Sequence, residues 1–287
     1  MPFLTVVGNC QAESLRRLVT STGIADSERI PPVHEMEASD MEWFCAMLAR
    51  TDILITQPIR NDYRGLPLGT EQTMACLPRS ARTVLFPVMR FDALTPTQAI
   101  IRDPEEPSLD PPVVPYHDLR ILAAHLKGRQ EAIAPTPADD AYRAKLAETV
   151  EQMRRREEAA GDAMVGMSDF LETVPVWHTI NHPDNATMGE LARRVATRLG
   201  AEGEVVLPDY EMLGELDSPI DASAAAALGA SDRVPAHRGV WSRRREGEIP
   251  FSDITAAQLE FYRERPGVVQ AGLARYGERM RQFGLID

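Results

Sequence analysis

FLTVVGNCQ, residues 3–11, decides the fold, because a short apolar strand pattern leads directly into a turn that contains glycine. Residues 12–18 follow with apolar side chains and arginines at helical spacing. A strand that runs straight into a helix is typical of the start of an α/β fold. The turn should therefore lie at the carboxyl end of the first strand, where open parallel sheets bind ligands.

The same alternation continues along the first part of the chain, where residues 30–34 lead into a second extended segment. Two further apolar runs, residues 52–56 and 83–86, read as buried parallel strands, and helical patterns at 41–48 and 71–77 precede them. We therefore predict a parallel sheet with helices on both faces, an α/β/α sandwich of three layers. Residues 254–283 read instead as two helices broken near Pro266, which indicates a mainly helical C-terminal part.

Composition narrows the class of protein. The 287 residues are 44% hydrophobic, as in a globular protein, and carry a formal charge of −12, which argues against a nucleic-acid-binding role. No run approaches a membrane span, and the N-terminus lacks a signal-peptide pattern, so we expect a cytoplasmic protein. Three cysteines without CxxC spacing predict free thiols and no metal site. Homo-oligomerisation is left open.

Cys10 is the first candidate for chemistry, because it sits at the predicted strand-to-helix turn. Free backbone N–H groups and the helix dipole would favour its thiolate form and would supply donors to an oxyanion. We therefore interpret Cys10 as a possible nucleophile. The alternative is a small residue that closes a tight turn.

His182 is the second candidate. It lies in the polar segment Thr179–Asn185, between the apolar run at 174–177 and a helix that a capping-box pattern predicts to open at Thr187. An imidazole within reach of Cys10 could take its proton and return it. The alternative is an ordinary surface histidine.

Two further polar groups suit ligand binding. After the strand at 52–56, Arg60 and Arg64 could hold phosphate while Gln57 or Asn61 donates to an oxyanion; the alternative is a solvated polar turn. A second polar and aromatic group contains Tyr116 and His117, and its alternative is a helix entry in which the following aspartate favours the helix dipole.

With these residues identified, the chain resembles the WcbI family of polysaccharide biosynthesis proteins. The resemblance rests on Gly8-Asn9-Cys10-Gln11, on Gln57 followed by Tyr63-Arg64, and on Asn181-His182-Pro183, and it covers about residues 1–200. It implies an SGNH-hydrolase-like domain at residues 1–204, which leaves residues 205–287 as a C-terminal extension.

In that fold Cys10 would replace the usual serine and His182 would be the late histidine. One departure is that Thr179 stands where such enzymes commonly carry an aspartate, so a complete triad is not visible. The resemblance also implies coenzyme A, or acetyl-CoA as acyl donor, and acyl transfer to a sugar.

We therefore expect an acetyltransferase that acts on a sugar or polysaccharide precursor, with Cys10 and His182 as catalytic residues. The expected cofactor contacts come from Gly8, Asn9, Gln11, Gln57, Arg60, Tyr63, Arg64, Tyr116 and His117. The alternatives are a thiol-dependent carbohydrate esterase of the same fold and a non-catalytic subunit that binds CoA or sugar.

Overall fold

The computed structural model describes residues 1–138 and 140–287, and these residues form two compact units. The first comprises residues 1–90, 150–177 and 181–214, and the second comprises residues 91–149, 178–180 and 215–287. Each unit is therefore assembled from three separate segments, and the chain passes repeatedly from one unit to the other. The sequence-based division after residue 204 therefore does not coincide with them. Asp139 lies outside the described residues.

Helices and strands alternate over most of the chain. In chain order they are β1 (Phe3–Val7), α1 (Gln11–Thr20), β2 (Asp26–Ser27), α2 (Met41–Leu48), β3 (Ile53–Thr56), α3 (Thr70–Ala75), β4 (Arg82–Leu85), β5 (Gln98–Ala99), β6 (His117–Asp118), α4 (Leu119–Leu126), α5 (Ala141–Ala160), α6 (Ser168–Leu171), α7 (Asn185–Leu199), β7 (Leu216–Asp217), α8 (Ala222–Ala227), β8 (Trp241–Arg243), β9 (Gly247–Ile249), α9 (Phe251–Glu264) and α10 (Pro266–Gln282).

The first unit contains a parallel sheet with the strand order β2-β1-β3-β4. All four residues of β3 are buried, and Leu4, Val7 and Leu54 are fully inaccessible. Strands buried on both faces read as continuous apolar runs, which is why the sequence pattern identified β1 and β3. The apolar run at 83–86 also identified β4, in which Val84 is the buried residue. The predicted α/β fold with a parallel sheet is confirmed.

The segment after α1 differs from its sequence-based prediction. Residues 30–34 read as the second strand, whereas the strand that pairs with β1 is β2, Asp26–Ser27. Residues 30–34 instead pass the end of β1, where the Val33 amide donates to the Gly8 carbonyl over 2.9 Å. The pattern of apolar side chains does not show which backbone groups form hydrogen bonds with the neighbouring strand.

Helix α7 begins two residues before the predicted cap at Thr187. Asp184 is the N-cap, and its carboxylate accepts a hydrogen bond from the Thr187 amide at 3.0 Å. The helix ends at Gly200, whose φ of 75° is the left-handed conformation that glycine adopts most readily. The loop with His182 therefore leads directly into a capped helix.

The second unit packs helices around its own apolar core and contains two small antiparallel sheets, β5-β6 and β7-β8-β9. Tyr262, Ile254 and Leu122 lie in this core. The predicted helices on either side of Pro266 are confirmed as α9 and α10, with proline at the first position of α10, where its missing N–H costs least. The β7-β8-β9 sheet is an addition to the mainly helical C-terminal part that the sequence predicted.

Candidate functional site

Two buried glutamine side chains join four separate segments of the first unit. Gln11 Nε2 donates to the carbonyl oxygens of Met89 and Asn181, at 2.9 Å each, while its Oε1 accepts from the Met89 amide and from Gln57 Nε2, both at 3.2 Å. Gln57 Oε1 in turn accepts from the Asn9 amide at 2.9 Å. Gln11 is fully inaccessible and Gln57 nearly so. The pair fixes the segments that follow β1, β3 and β4 to the loop before α7.

These contacts change the interpretation of several predicted ligand-binding residues. The Gln57 amide is engaged by protein atoms and is not presented to an oxyanion, which corrects that expectation. Asn9 Oδ1 accepts a hydrogen bond from the backbone amide of Gln11 at 3.0 Å, so Asn9 shapes the turn. Gly8 is required by space, since a Cβ there would lie 2.8 Å from Gln57 Oε1. Gly8, Asn9 and Gln11 thus build the turn that presents Cys10, and Gln57 holds that turn from the end of β3.

Cys10 occupies the N-cap position of α1 and is half-buried. Burial raises the pKa of its thiol to about 11, a shift that outweighs the lowering effect of hydrogen bonds from the Cys10 and Gln11 backbone amides and is increased by the Glu35 carboxylate. The sequence predicted a favoured thiolate at this turn. That expectation is corrected, because desolvation dominates over the helix N-terminus and the thiol is protonated at neutral pH.

His182 lies in the loop that Gln11 holds in place. The residue before it, Asn181, supplies the carbonyl that accepts from Gln11 Nε2 at 2.9 Å, and Gln11 directly follows Cys10. The imidazole is half-buried, and the loop ends at the capped start of α7. The structure thus joins the Cys10 turn to the His182 loop through one direct hydrogen bond, although 170 residues separate its two partners.

Arg60 and Arg64 are exposed on the loop between β3 and α3. Within the described part of the chain, neither guanidinium has an ion pair or a hydrogen bond to another residue. Tyr63, between them, packs against the apolar cluster that includes Phe44 and Leu68. The loop therefore anchors its aromatic residue in the core of the first unit and leaves both cations available to a ligand.

Tyr116 and His117 belong to the core of the second unit. The Tyr116 hydroxyl hydrogen-bonds Thr179 Oγ1 at 2.8 Å, and its ring stacks on Trp241. His117 Nδ1 pairs with the Tyr262 hydroxyl at 2.9 Å and Nε2 with the Ile101 carbonyl oxygen at 3.1 Å.

Burial, opposed in part by the Ile101 contact, lowers the pKa of His117 to about 4, so its ring is neutral. The expected cofactor role of both residues is corrected to a structural one, because their polar atoms face buried protein partners.

The sequence analysis did not single out a histidine–carboxylate pair in the second unit. His178 Nδ1 lies 2.7 Å from Asp217 Oδ1, and Arg238 Nη1 lies 3.4 Å from the same oxygen. Burial would raise the pKa of Asp217, but the His178 hydrogen bond and the Arg238 charge outweigh it and lower that pKa. The partners are 39 residues apart with no shared motif, so only the tertiary structure brings them together.

The three cysteines form no disulfide bond with one another. Cys10, Cys45 and Cys76 are free thiols. Among residues 1–138 and 140–287, no group of three histidine, cysteine or acidic side chains could hold a metal ion. No helix in that part of the chain has both the length and the apolar character that a bilayer crossing requires.

Comparison with known proteins adds a family and a fold. The family model described as polysaccharide biosynthesis enzyme WcbI matches residues 3–204. A solved structure of WcbI, described as a novel polysaccharide biosynthesis enzyme in its native form without a disulfide bond between coenzyme A and a cysteine, matches at 18% identity and a TM-score of 0.76. The match covers 99% of this chain and 97% of that one, and it shows a shared fold. No curated protein matches this sequence.

Proposed function

This chain belongs to the WcbI family of polysaccharide biosynthesis enzymes, and from that premise we propose that it is a coenzyme A-dependent acyltransferase. The proposed reaction moves an acyl group, acetyl in the first instance, from acyl-CoA to a hydroxyl of a sugar or polysaccharide precursor. The proposed fold is the SGNH-like three-layer sandwich. The parallel sheet, with a cysteine turn after β1 and a histidine loop before α7, supports that assignment.

One observation carries the proposal. The hydrogen bond from Gln11 Nε2 to the Asn181 carbonyl holds the residues next to Cys10 and His182 in direct contact. A thiol and an imidazole on segments joined in this way are the two groups that acyl transfer through a cysteine requires. The buried glutamine pair holds both segments before any ligand binds, and such pre-organisation is a source of catalytic power.

The first unit also offers a fit for coenzyme A. Arg60 and Arg64 are exposed cations in an otherwise acidic chain, and neither has a partner among the residues that the structure describes. Charge-assisted hydrogen bonds from guanidinium to phosphate are among the strong ones. When bound, acyl-CoA supplies the activated acyl group as a thioester. Arg60 and Arg64 would hold its phosphates, while Cys10 and His182 would face the thioester end.

In the proposed mechanism His182 is the general base. Because the Cys10 thiol is protonated at neutral pH, a nucleophilic role requires His182 to take the thiol proton as sulfur attacks. His182 would then give that proton to the thiol that leaves the acyl group. It would accept a proton from the sugar hydroxyl as the oxygen attacks the acyl group on Cys10, and would return that proton to the Cys10 sulfur as the bond between sulfur and the acyl carbon breaks. The Cys10 amide, which already faces the thiol, is the remaining predicted donor to the oxyanion.

A second candidate is a non-catalytic subunit that binds coenzyme A. The raised pKa of Cys10 favours this candidate, since a protonated thiol is a weak nucleophile but can still line a binding pocket. Thr179, which stands in the place of the usual orienting aspartate, also favours it, because its hydroxyl hydrogen-bonds Tyr116.

The decisive experiment is incubation of the purified protein with acetyl-CoA, with and without candidate sugars, and measurement of the free CoA thiol. We expect continued thiol release only when a sugar acceptor is present, and at most one equivalent per protein, from acylation of Cys10, without it. Continued release without sugar would indicate hydrolysis, as in the thiol-dependent esterase. Saturable binding of CoA without release under either condition would support the binding subunit.

A further inference from the structure

The loop that carries Arg60 and Arg64 has an unusual backbone. Asp62 and Arg64 adopt left-handed conformations with φ of 54° and 56°, and Gly65 follows with φ of 78°. Only glycine takes this conformation without a steric cost, so two non-glycine residues in one short loop need support from their surroundings. The structure identifies the source of that support.

Gln72, on the first turn of α3, clamps the loop at two points. Its Oε1 accepts hydrogen bonds from the Asp62 amide at 3.0 Å and from the Gly69 amide at 3.1 Å, and its Nε2 donates to Asp62 Oδ1 at 2.7 Å. The bond from the Gly69 amide satisfies a free N–H group at the start of α3, where Gly69 is the N-cap residue. One side chain therefore satisfies the strained residue Asp62 and closes the far end of the loop.

Thr70 and Gly69 complete the anchorage. The Thr70 hydroxyl donates to the Gln57 carbonyl at 2.9 Å and accepts from the Ile59 amide at 2.8 Å. Gly69 passes so close to Asn61 that a Cβ would lie 2.3 Å from Asn61 Oδ1. Hydrogen bonds to α3 and to the end of β3 thus hold the loop, and Arg60 and Arg64 project from a fixed frame.

We infer that Gln72 is a positioning residue for recognition of the phosphorylated end of coenzyme A. The inference rests on the proposed function, which gives the phosphates to Arg60 and Arg64. Gln72 acts through the loop backbone, since both acceptor positions of its Oε1 are occupied by loop amides. Its contribution is to order the two cations before the ligand arrives, so that binding does not have to fix a mobile loop.

The test compares three variants with the wild-type protein. Gln72→Glu keeps both acceptor bonds but places a carboxylate against Asp62 Oδ1, where the wild-type side chain donates. Gln72→Glu combined with Asp62→Asn restores a donor–acceptor pair with reversed polarity and the original net charge, and asparagine tolerates the left-handed conformation. Ala75→Glu is the charge-matched control, because Ala75 is exposed on the same helix and is not part of the clamp.

Two readouts separate loop order from ligand binding. Trypsin cleavage after Arg60 and Arg64 reports whether the loop is held, without any ligand. Calorimetric Kd values for coenzyme A and for pantetheine, which has no phosphates, report the contribution of the loop to binding. We expect Gln72→Glu to accelerate cleavage and to weaken coenzyme A binding about tenfold with pantetheine binding unchanged. The double variant should return to within about threefold of wild type, and Ala75→Glu should change neither readout more than about twofold.

Specific outcomes overturn the inference. Faster cleavage in Gln72→Glu with unchanged coenzyme A binding would show that loop order does not matter to recognition. An equal loss of affinity in Ala75→Glu would assign the effect to charge. A wild-type protein that binds coenzyme A no more tightly than pantetheine would instead refute the phosphate role of the loop, and hence that part of the proposed function, whatever Gln72 does to cleavage.

Discussion

The turn after β1 and the loop after β3 both leave carboxyl ends of neighbouring parallel strands, yet they use their polar residues in opposite ways. In the turn, the side-chain amide of Gln11 is buried and bonded to protein atoms, among them the buried Gln57 at the end of β3. In the loop, Arg60 and Arg64 are exposed and have no protein partner within the described residues. Polar groups that the protein already satisfies shape a site, whereas unsatisfied charges are available to a ligand.

The largest expected effect concerns the chemistry that the turn supports. We expect His182→Ala to lower acyl transfer by roughly 10²- to 10⁴-fold, the usual cost of losing a general base. Adding Cys10→Ala should cost little more, because residues that act as a unit are not additive. The measurement is release of CoA thiol in the presence of a sugar acceptor.

The exposed His237 supplies the matched control, since His237→Ala removes an imidazole from a segment outside both the Cys10 turn and the His182 loop. If the loss of activity in the His182→Ala, Cys10→Ala double variant equals the product of the two single losses, Cys10 and His182 act independently and the shared mechanism fails.

The next largest effect concerns stability, which should depend on the turn after β1 much more than on the loop after β3. We expect Gln11→Ala to lower the free energy of unfolding by roughly 2 to 5 kcal/mol, since it leaves the Met89 amide, the Gln57 amide and two carbonyls without their buried partner. Arg60→Ala with Arg64→Ala should leave the unfolding free energy nearly unchanged. Denaturant titration of both proteins measures the difference, and equal stabilities would abolish the distinction drawn between turn and loop.

For coenzyme A binding, in contrast to stability, we expect the larger effect from the loop after β3. Replacing Arg60 and Arg64 together with alanine should weaken coenzyme A binding by roughly 2 to 4 kcal/mol if both make charge-assisted phosphate contacts. Calorimetry on the folded double variant measures the loss. Arg29→Ala with Arg79→Ala removes the same charge from exposed positions elsewhere in the first unit and should have little effect. Similar losses in both double variants would reduce the role of the loop to general electrostatics.

The smallest expected effect is the pH dependence that Cys10 adds. Its folded pKa of about 11 lies above the ordinary value of 9.0, so the protonated thiol is favoured by folding. The associated stability is fully present below the unfolded pKa and is lost as pH rises through 11. Relative to Cys10→Ser, the wild-type protein should lose roughly 1 to 3 kcal/mol of unfolding free energy between pH 8 and pH 11.

Alkylation gives an independent measure of the same thiol. At neutral pH we expect iodoacetamide to modify the exposed Cys45 and Cys76 before the half-buried Cys10, because Cys10 is less accessible and its raised pKa keeps it protonated. Preferential labelling of Cys10 would mean that the turn stabilises the thiolate after all, and it would restore the interpretation that sequence alone suggested.

The fold was largely predictable because burial is recorded in local patterns. The apolar runs of β1, β3 and β4 identified the parallel strands, and Pro266 marked the break between α9 and α10. Other features depended on backbone pairing between distant segments. The strand at Asp26–Ser27 and the interleaving of the two units have no local signal of that kind.

For the site, sequence by itself determined that Cys10 follows the first strand, that a histidine loop precedes a late helix and that two arginines follow β3. Tertiary structure alone decided which of these groups are available. It buried Gln57 against Gln11, enclosed His117 between Tyr262 and Ile101, and raised the pKa of Cys10. Residue type and position fix what a side chain can donate or accept, but desolvation and the identity of its partners depend on segments far away in the chain, and these decide whether the side chain serves the fold or a ligand.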